Sequence, residues 1–454
     1  MDSLVSTLFF FIVALCILIA VHEFGHFWVA RKLGVKVLRF SIGFGKTLWK
    51  RVGRVDGTEY VIAAVPLGGY VKMLDEREEA VPEAELPRAF NRQSLRVRTA
   101  IVLAGPMFNF LFAIIAFWAI FVTGDTGTRP WVGEVLEGTP AYRAGFSKGD
   151  EVLSIGDKTT PTWETVAYTL MADASRGETL SVRVRDADGY EQLRALSGDD
   201  LADLADNGGV LTGLGLAPMR PNLPPVIGEI VPGEAAESAG LRPGDLVISA
   251  DGEPQKEWSD LVSLIRKSPN KRIQLAVERE GVVLEVPIVV GGLEEGGIRY
   301  GRIGAAVKVP EAFYDEYRVE VRLGPLEAIG ASVTKTGEMS VFMLKMLGRM
   351  LIGEASVKNL SGPISIAQTA GKSASYGTVY FIKFLALISI SLGVLNLLPV
   401  PVLDGGHLLF FLAEAIKGGP LSENIQMQGQ RIGLMIILAL MGLAFYVDIA
   451  RLLG

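Results

Sequence analysis

The chain has 454 residues, a formal net charge of −6 and a mean hydropathy of +0.35, and 49% of its residues are apolar. Such a composition is unusual for a soluble protein of this length and predicts a membrane protein with several spans and polar insertions. The negative net charge argues against a general affinity for nucleic acid. The single cysteine, Cys16, lies in the first apolar stretch, so no intramolecular disulfide can form.

The first apolar stretch covers residues 4–21 and nearly reaches the ~20 residues that a membrane-spanning helix needs. A cleaved signal peptide is the competing interpretation. Asp2 stands where a signal peptide has a basic start, and no small-residue cleavage site follows. We therefore predict a first transmembrane helix within residues 1–30.

The sequence HEFGH at residues 22–26 follows directly on this stretch. On a helix, His22 and His26 project from one face and can bind one metal ion, while Glu23 lies beside that face and can act as a general base. Chance matches to this pattern are common in soluble chains. Here two of only three histidines lie in the motif, and ionisable groups within a membrane span are usually functional. The pattern predicts a zinc site with His22 and His26 as ligands.

Residues 31–98 form a basic connector, with fourteen Lys and Arg residues against eight Asp and Glu residues. The positive-inside rule places this connector in the cytoplasm and the N-terminus outside. Its segments 41–45 and 58–74 are apolar, rich in β-formers and interrupted by glycine. They fit either a hairpin on a soluble domain or a small sheet that dips into the membrane beside the metal, and we favour the sheet. Its exposed edge can pair with an extended substrate, and Gly68, Gly69 and Tyr70 are the candidate contacts.

A second span is predicted at residues 99–123, and it contains Gly105-Pro106 and Asn109. These residues are unusual inside a bilayer and are tolerated where neighbouring elements satisfy the freed polar groups. The chain is expected to emerge outside near Gly124.

The polar segment after the second span contains an internal repeat with an offset of 95 residues. AGFSKGD at residues 144–150 corresponds to AGLRPGD at residues 239–245. Each copy predicts a compact α+β module of about 90 residues. The pattern resembles PDZ domains, which implies domains at residues 127–220 and 222–309. By this resemblance Leu214-Gly215-Leu216 and Ile303-Gly304-Ala305 are the peptide-binding loops, and the alternative for each copy is a spacer that binds no peptide.

The C-terminal part begins with an amphipathic region at residues 322–375, which is too charged to span and is expected at the outer interface. Residues 359–363 (NLSGP) are expected to form a turn in it. A third span is predicted at residues 379–407 and a fourth at residues 431–450.

The third span ends in a polar and proline-rich sequence that includes Asn396, Pro399, Pro401 and Asp404. Because the first and third spans run in the same direction, Asp404 reaches the same leaflet as the two histidines. Two histidines and one carboxylate with an open fourth position are the pattern of catalytic zinc. Asp404 could instead cap a helix at the Asp-Gly-Gly turn. His407 is a rival ligand, for which a supporting or structural role is the favoured interpretation.

HEFGH, GPMFNF and NLLPVPVLDGGH together match the site-2 protease family of intramembrane metalloproteases, and the chain resembles this family from end to end. The resemblance implies that His22, His26 and Asp404 bind zinc and that Glu23 is the general base. It also implies that the substrate-binding residues include Asn396, which would contact the substrate backbone, and Pro399 and Pro401, which would shape the groove.

The implied fold is a polytopic α-helical membrane protein with four transmembrane helices, a small membrane-associated β-sheet and two inserted α+β PDZ domains. The implied activity is zinc-dependent hydrolysis of peptide bonds in the transmembrane segments of single-span proteins during the envelope stress response. Substrates by family likeness are an anti-sigma factor after a first cleavage and signal-peptide remnants. The implied location is a bacterial inner membrane, with periplasmic PDZ domains and the active site near the cytoplasmic leaflet. The alternatives are a membrane-bound zinc peptidase for misfolded proteins and a non-enzymatic PDZ scaffold.

Overall fold

The computed structural model describes residues 2–453 except residues 55, 79, 175–177, 207–212, 220–221, 296–297, 311–314 and 354–361. The chain divides into two compact units. The first unit combines Met1–Asp125 with Val321–Ala450, and the second consists of Thr126–Glu320 with Arg451–Gly454.

Four helices of the first unit are long and apolar enough to cross a membrane. They are α1 (Asp2–Lys32), α2 (Leu95–Thr123), α10 (Thr378–Asn396) and α12 (Glu423–Leu453). The expectation of an α-helical membrane protein with four spans is thereby confirmed in its coarse form. α1 continues without a break through HEFGH to Lys32, so both histidines lie on one continuous helix.

The third span differs from its predicted extent, because α10 ends at Asn396 instead of continuing to residue 407. A new helix, α11 (Asp404–Lys417), starts only after residues 397–403. Pro399 and Pro401 lack the backbone N–H that a helix needs, which explains the break. Gly405 lets α11 start directly on this turn, since an added Cβ would collide with the Leu398 carbonyl.

The basic connector forms a long antiparallel hairpin of β1 (Val37–Val52) and β2 (Glu59–Met73), followed by 3₁₀ turns at Glu83–Arg88 and Phe90–Arg92. Both strands bend, so that Ile42 pairs with Ile62 and also with Gly69. One hairpin thus supplies four adjacent strand segments. It packs on α1 through a small apolar core that includes Val37.

The predicted amphipathic region at residues 322–375 contains two helices, α8 (Pro325–Leu351) and α9 (Pro363–Ser375). One face of α8 packs on α2 and α10 through Met339, Met343 and Leu347. In the predicted turn at residues 359–363, residues 359–361 lie outside the described part, and Gly362 and Pro363 begin α9. The interfacial position of this region stays a prediction.

The second unit consists of two copies of one α+β arrangement. The strand order β6-β5-β7-β8 of the first copy is repeated as β12-β11-β13-β14 in the second, and the pair β4–β9 is repeated as β10–β17. The first copy contains β4 (Val132–Val135), α3 (Pro140–Arg143), β5 (Glu151–Ile155), β6 (Lys158–Thr159), α4 (Trp163–Ala174), β7 (Leu180–Arg185), β8 (Glu191–Leu196), α5 (Gly198–Asp206) and β9 (Leu216–Pro218). The second contains β10 (Ile227–Ile230), α6 (Ala235–Ser238), β11 (Leu246–Ala250), β12 (Glu253–Pro254), α7 (Trp258–Arg266), β13 (Arg272–Arg279), β14 (Val282–Val289), β15 (Gly291–Glu295), β16 (Ile298–Arg302) and β17 (Ala305–Val307). The strands β3 (Asp125–Thr128) and β18 (Arg318–Val321) flank the two copies.

A buried carboxylate in α12 caps the N-terminal end of α9. Asp448 is 1% exposed and accepts hydrogen bonds from the backbone N–H groups of Gly362, Ile364 and Ser365 at 2.8–3.2 Å. It also accepts a hydrogen bond from the Ser365 hydroxyl. These donors are the N–H groups that a helix start leaves without intrahelical partners, so a carboxylate satisfies them with favourable charge.

We predict that Asp448→Asn destabilises the protein by about 1–3 kcal/mol, because a neutral amide weakens charge-assisted bonds and leaves buried donors poorly paired. Thermal unfolding of the detergent-solubilised chain measures this loss. Asp157→Asn, the same chemical change on an exposed turn residue, is the control and should leave the unfolding temperature unchanged. Equal unfolding temperatures for both variants would contradict the capping role.

Candidate metal centre

The two motif histidines project from the same face of α1. Their Nε2 atoms are 3.3 Å apart. Gly25 between them allows α2 to cross closely, since an added Cβ would lie 2.5 Å from the Ala104 carbonyl oxygen. Gly105 on α2 lies directly beside both imidazole rings. A Cβ added to it would collide with the His26 ring and lie 2.8 Å from His22 Cε1.

Asp404 joins the histidines from the first turn of α11. Its Oδ2 lies 3.3 Å from His22 Nε2 and 3.5 Å from His26 Nε2. The N-cap position belongs to Leu403, and the Asp404 carboxylate faces the imidazoles, which does not favour the helix-cap alternative. A position in the first helical turn stabilises a carboxylate through the helix dipole.

Among the described residues, His22, His26 and Asp404 are the group that could hold a metal ion. Asp404 Oδ2 is buried and accepts no hydrogen bond from a described residue. The three ligand atoms form a triangle with sides of 3.3, 3.3 and 3.5 Å. Ligands at the usual zinc distances of about 2.0–2.1 Å occupy tetrahedral corners about 3.3 Å apart. The donor set and its spacing therefore fit zinc.

His407 lies outside this group. It is one turn further along α11, where its ring makes an edge-to-face contact with Phe410 at 6.4 Å between centroids. The role of His407 stays a prediction.

α2 contacts the Nδ1 atom of both imidazoles. His26 Nδ1–H donates to the Ile101 carbonyl oxygen at 2.8 Å, which leaves Nε2 free to bind a metal. His22 Nδ1 lies 3.1 Å from Nδ2 of Asn109, whose side chain is fully buried. The sequence singled out Gly105 and Asn109 as unusual within a span without connecting them to the histidines. Their spacing of four residues was the available signal, because it places them on one helix face.

The predicted substrate residues at the end of α10 lie on the turn that leads to Asp404. Asn396 is the last residue of α10, half-buried, and its side-chain amide has no hydrogen-bond partner among the described residues. Pro399 is exposed, and Pro401 is half-buried against α12, where Gly433 leaves no room for a side chain beside the Pro401 carbonyl.

Gly69 of β2 lies directly against the histidine-bearing part of α1. A Cβ added to Gly69 would lie 2.8 Å from Ile19 Cγ2 and 2.9 Å from Glu23 Cγ. Tyr70 stacks on Phe44 within the hairpin, with the ring planes 7° apart. The backbone at Gly69 is thus close to Glu23.

The comparisons with known proteins extend over the whole chain. The sequence profile of Peptidase family M50 matches residues 10–440. The regulator of sigma-E protease RseP of Escherichia coli is 45% identical over 444 residues, which cover 97% of this chain and 98% of that protein. A putative zinc metalloprotease of Vibrio cholerae is 44% identical over 444 residues, covering 97% and 98%. A regulator of sigma E protease of Haemophilus influenzae is 39% identical over 443 residues, with the same coverage.

These matches identify the protein as a zinc-dependent enzyme of the membrane, since the family's catalysis depends on zinc and four helices are suited to cross a bilayer. The chain belongs to peptidase family M50, the site-2 protease family of zinc metalloproteases.

Proposed function

We propose that His22, His26 and Asp404 hold the zinc ion and that Glu23 is the general base of peptide-bond hydrolysis within the membrane. The observation that carries this proposal is the triangle of two Nε2 atoms and one carboxylate oxygen with sides of 3.3–3.5 Å. The resemblance of HEFGH and LDG to the family's motifs supports the same assignment.

When bound, zinc acts as a Lewis acid and lowers the pKa of a coordinated water to about 7. The Glu23 carboxylate accepts the proton of the attacking water and then donates it to the leaving amide nitrogen. The β2 backbone at Gly69 lies beside Glu23, where a side chain in place of Gly69 would lie 2.9 Å from Glu23 Cγ.

Asn109 fixes the orientation of His22 in this proposal. To bind zinc through Nε2, His22 must carry its proton on Nδ1, and the facing group must then be a hydrogen-bond acceptor. Asn109 offers one, because its Oδ1 is buried without a hydrogen-bond partner among the described residues. Rotation of the Asn109 side-chain amide by 180° exchanges Oδ1 and Nδ2. Oδ1 then occupies the position of Nδ2, which lies 3.1 Å from His22 Nδ1.

The substrate must present an extended backbone to this site. A transmembrane helix hides its carbonyl groups in internal hydrogen bonds, so it has to unwind before hydrolysis. The hairpin segment at Gly68, Gly69 and Tyr70 would hold the unwound chain by strand addition. The Asn396 amide, which has no partner among the described residues, would bind a substrate backbone group, and Pro399 and Pro401 would shape the groove.

Single-span membrane proteins are the proposed substrates, and an anti-sigma factor after a first cleavage and signal-peptide remnants are the specific candidates. The names of relatives that regulate sigma E support a role in the envelope stress response. The basic connector supports a cytoplasmic position for the metal centre in the inner membrane, and the repeat modules would then be periplasmic.

The repeat modules are proposed to be PDZ domains at residues 127–220 and 222–309. In the second copy an open groove of about 320 Å³ lies between α7 and β17 and is lined by Leu261, Ile265 and Ile303. The predicted loop at residues 303–305 leads into β17, and the loop at residues 214–216 leads into β9. The alternative function for each copy is a steric spacer that binds no peptide and excludes long substrates by size.

We expect Glu23→Gln to reduce cleavage of a reconstituted single-span substrate by about 10²–10⁴-fold, because the general base is lost while the ligands remain. Zinc per chain is measured in parallel and should equal that of the wild type. The control is Glu83→Gln, the same change on an exposed residue outside the site. Unchanged biological activity in the zinc-loaded Glu23→Gln protein would instead favour the scaffold alternative.

Gly105→Ala is predicted to lower zinc retention by about 10–100-fold, the usual cost of disturbing the support of metal ligands. The added methyl group would displace both imidazoles. Gly442→Ala is the matched control, because a Cβ there meets no atom within 4 Å. Metal analysis after dialysis against a chelator gives the readout, and equal zinc content in both variants would show that the rings do not carry the metal.

A substrate span with a central Gly or Pro should be cleaved faster than the same span with Ala or Leu, because the helix is then easier to unwind. Gly costs a helix about 1 kcal/mol relative to Ala and Pro about 3 kcal/mol, which corresponds to roughly 5-fold and 160-fold changes if unwinding is rate-limiting. Initial rates on matched reconstituted substrates test this. Equal rates would mean that unwinding does not limit cleavage.

A further inference from the structure

One face of the β1–β2 hairpin carries two cross-strand rows of side chains that line an open groove of about 520 Å³. In the first row, Tyr60 pairs with both Phe40 and Arg51. In the second row, Ile62 pairs with both Ile42 and Trp49. This double pairing exists because both strands bend, so that the middle segment has a neighbour on each side. The result is an amphipathic groove three strand segments wide.

The inner and outer parts of this groove differ in how they are packed. Phe40 and Tyr60 lie against Phe27 of α1, with ring centroids 5.3 and 5.8 Å from it. Trp49 and Ile62 remain 49% and 46% exposed. A row of exposed apolar side chains is favourable only when another apolar group shields it from water, and no described element of the protein lies over these side chains.

The rim of the groove is positively charged and not neutralised. Arg51 and Arg54 are both exposed, and neither makes an ion pair or a side-chain hydrogen bond with a described residue. Other cations of the hairpin do have partners: Arg39 and Lys50 both contact Glu59. Residues 37–73 contain six basic residues against two acidic ones, so the hairpin attracts anions as a whole.

The groove is anchored at the end of a membrane-spanning helix. Arg31, in the last turn of α1, donates to the Tyr60 hydroxyl at 3.4 Å and forms an ion pair with Asp56 at 3.0 Å. Next to it, the Lys32 ammonium lies over the Trp28 ring. Aromatic and basic residues at a helix end mark the boundary between hydrocarbon and headgroups. Tyr60 therefore ties the groove to the level of the lipid headgroups.

We propose that this hairpin groove binds an anionic phospholipid. Arg51 and Arg54 contact the phosphate and the charged headgroup, and an acyl chain covers Ile42, Ile62 and Trp49. The charge of the rim and the apolar floor match the two parts of such a lipid, and the membrane supplies it at high local concentration. The site lies on the three strand segments that contain Trp49, Ile62 and Ile42. The fourth segment, which contains Gly68 and Gly69 near Glu23, is not part of it.

The test is lipid retention by the full chain, purified in detergent with equal amounts of phosphatidylglycerol and phosphatidylcholine and analysed by native mass spectrometry. The wild type should retain phosphatidylglycerol in preference to phosphatidylcholine. Arg51→Gln/Arg54→Gln should lose about tenfold in phosphatidylglycerol retention, since each basic residue near an anionic lipid contributes appreciably. The conservative pair Arg51→Lys/Arg54→Lys should keep most of it.

The matched control is Lys46→Gln/Arg96→Gln, which removes the same charge from exposed positions of the first unit that do not line the groove. It should retain phosphatidylglycerol within about twofold of the wild type. An equal loss in both double variants would show a general attraction of the basic surface and would overturn the proposal.

A second measurement separates a lipid from a free phosphate compound. Trp49 fluorescence, taken as the difference between the wild type and Trp49→Phe, should be quenched by phosphatidylglycerol with brominated acyl chains. Soluble glycerol phosphate should not displace that lipid. Displacement by glycerol phosphate would indicate a site for small anions, and absence of quenching would show that no acyl chain lies over the groove.

Discussion

Convergence of three donor atoms from distant parts of the chain is the constraint on which the first unit depends. α1 supplies two of these atoms, α11 supplies the third, and α2 holds the parts that supply them. It accepts a hydrogen bond from His26, contacts His22 through Asn109 and binds α11 through Arg98, whose guanidinium donates to the Glu414 carboxylate. Arg98 also lies over the Phe411 ring. α2 is therefore the common support of the whole site.

Close contact with α2 requires glycine at specific positions. Gly25 and Gly105 lie where α1 and α2 cross, and Gly393 lies against the Phe110 ring where α10 packs on α2. Ser389 of α10 donates to the backbone carbonyl of Asn109, so a polar contact fixes the same crossing. Small residues and single hydrogen bonds at helix crossings are the means by which membrane helices associate, because lipid provides no hydrophobic driving force.

The sequence was sufficient to predict the four spans and the position of His22 and His26 on one helix face, because both depend on local pattern. Hydropathy over twenty residues identifies a span, and two histidines four residues apart lie on one helix face whatever surrounds them. Asp404 followed from the direction of the spans and from family likeness. The roles of these residues remain proposals, as do the module boundaries.

Other features could not be predicted because they depend on contacts between distant segments. The double pairing of Ile42 requires that both strands bend at corresponding places, which no periodicity reveals. The sequence shows that Asn109 is polar within a span, but its partner lies on another helix. No local pattern around Asp448 indicates its partners, because they begin a helix far earlier in the chain. The sequence does not predict α11, because the pattern of residues 379–407 favours a single span that includes the start of this helix.

The lengths of α1 and α10 imply a particular depth for the site. At 1.5 Å per residue, His22 lies about 27 Å along α1 from Leu4, and the 19 residues of α10 extend over about 28 Å. The length of α10 is close to the ~30 Å thickness of the hydrocarbon core, whereas the 29 apolar-span residues of α1 extend over about 43 Å, past His22 to Arg31 and Lys32 at the headgroup level. Under the proposed topology, the metal group lies about 14 Å along α1 from that level, so the water that hydrolysis consumes can arrive from the adjacent aqueous phase without crossing the bilayer.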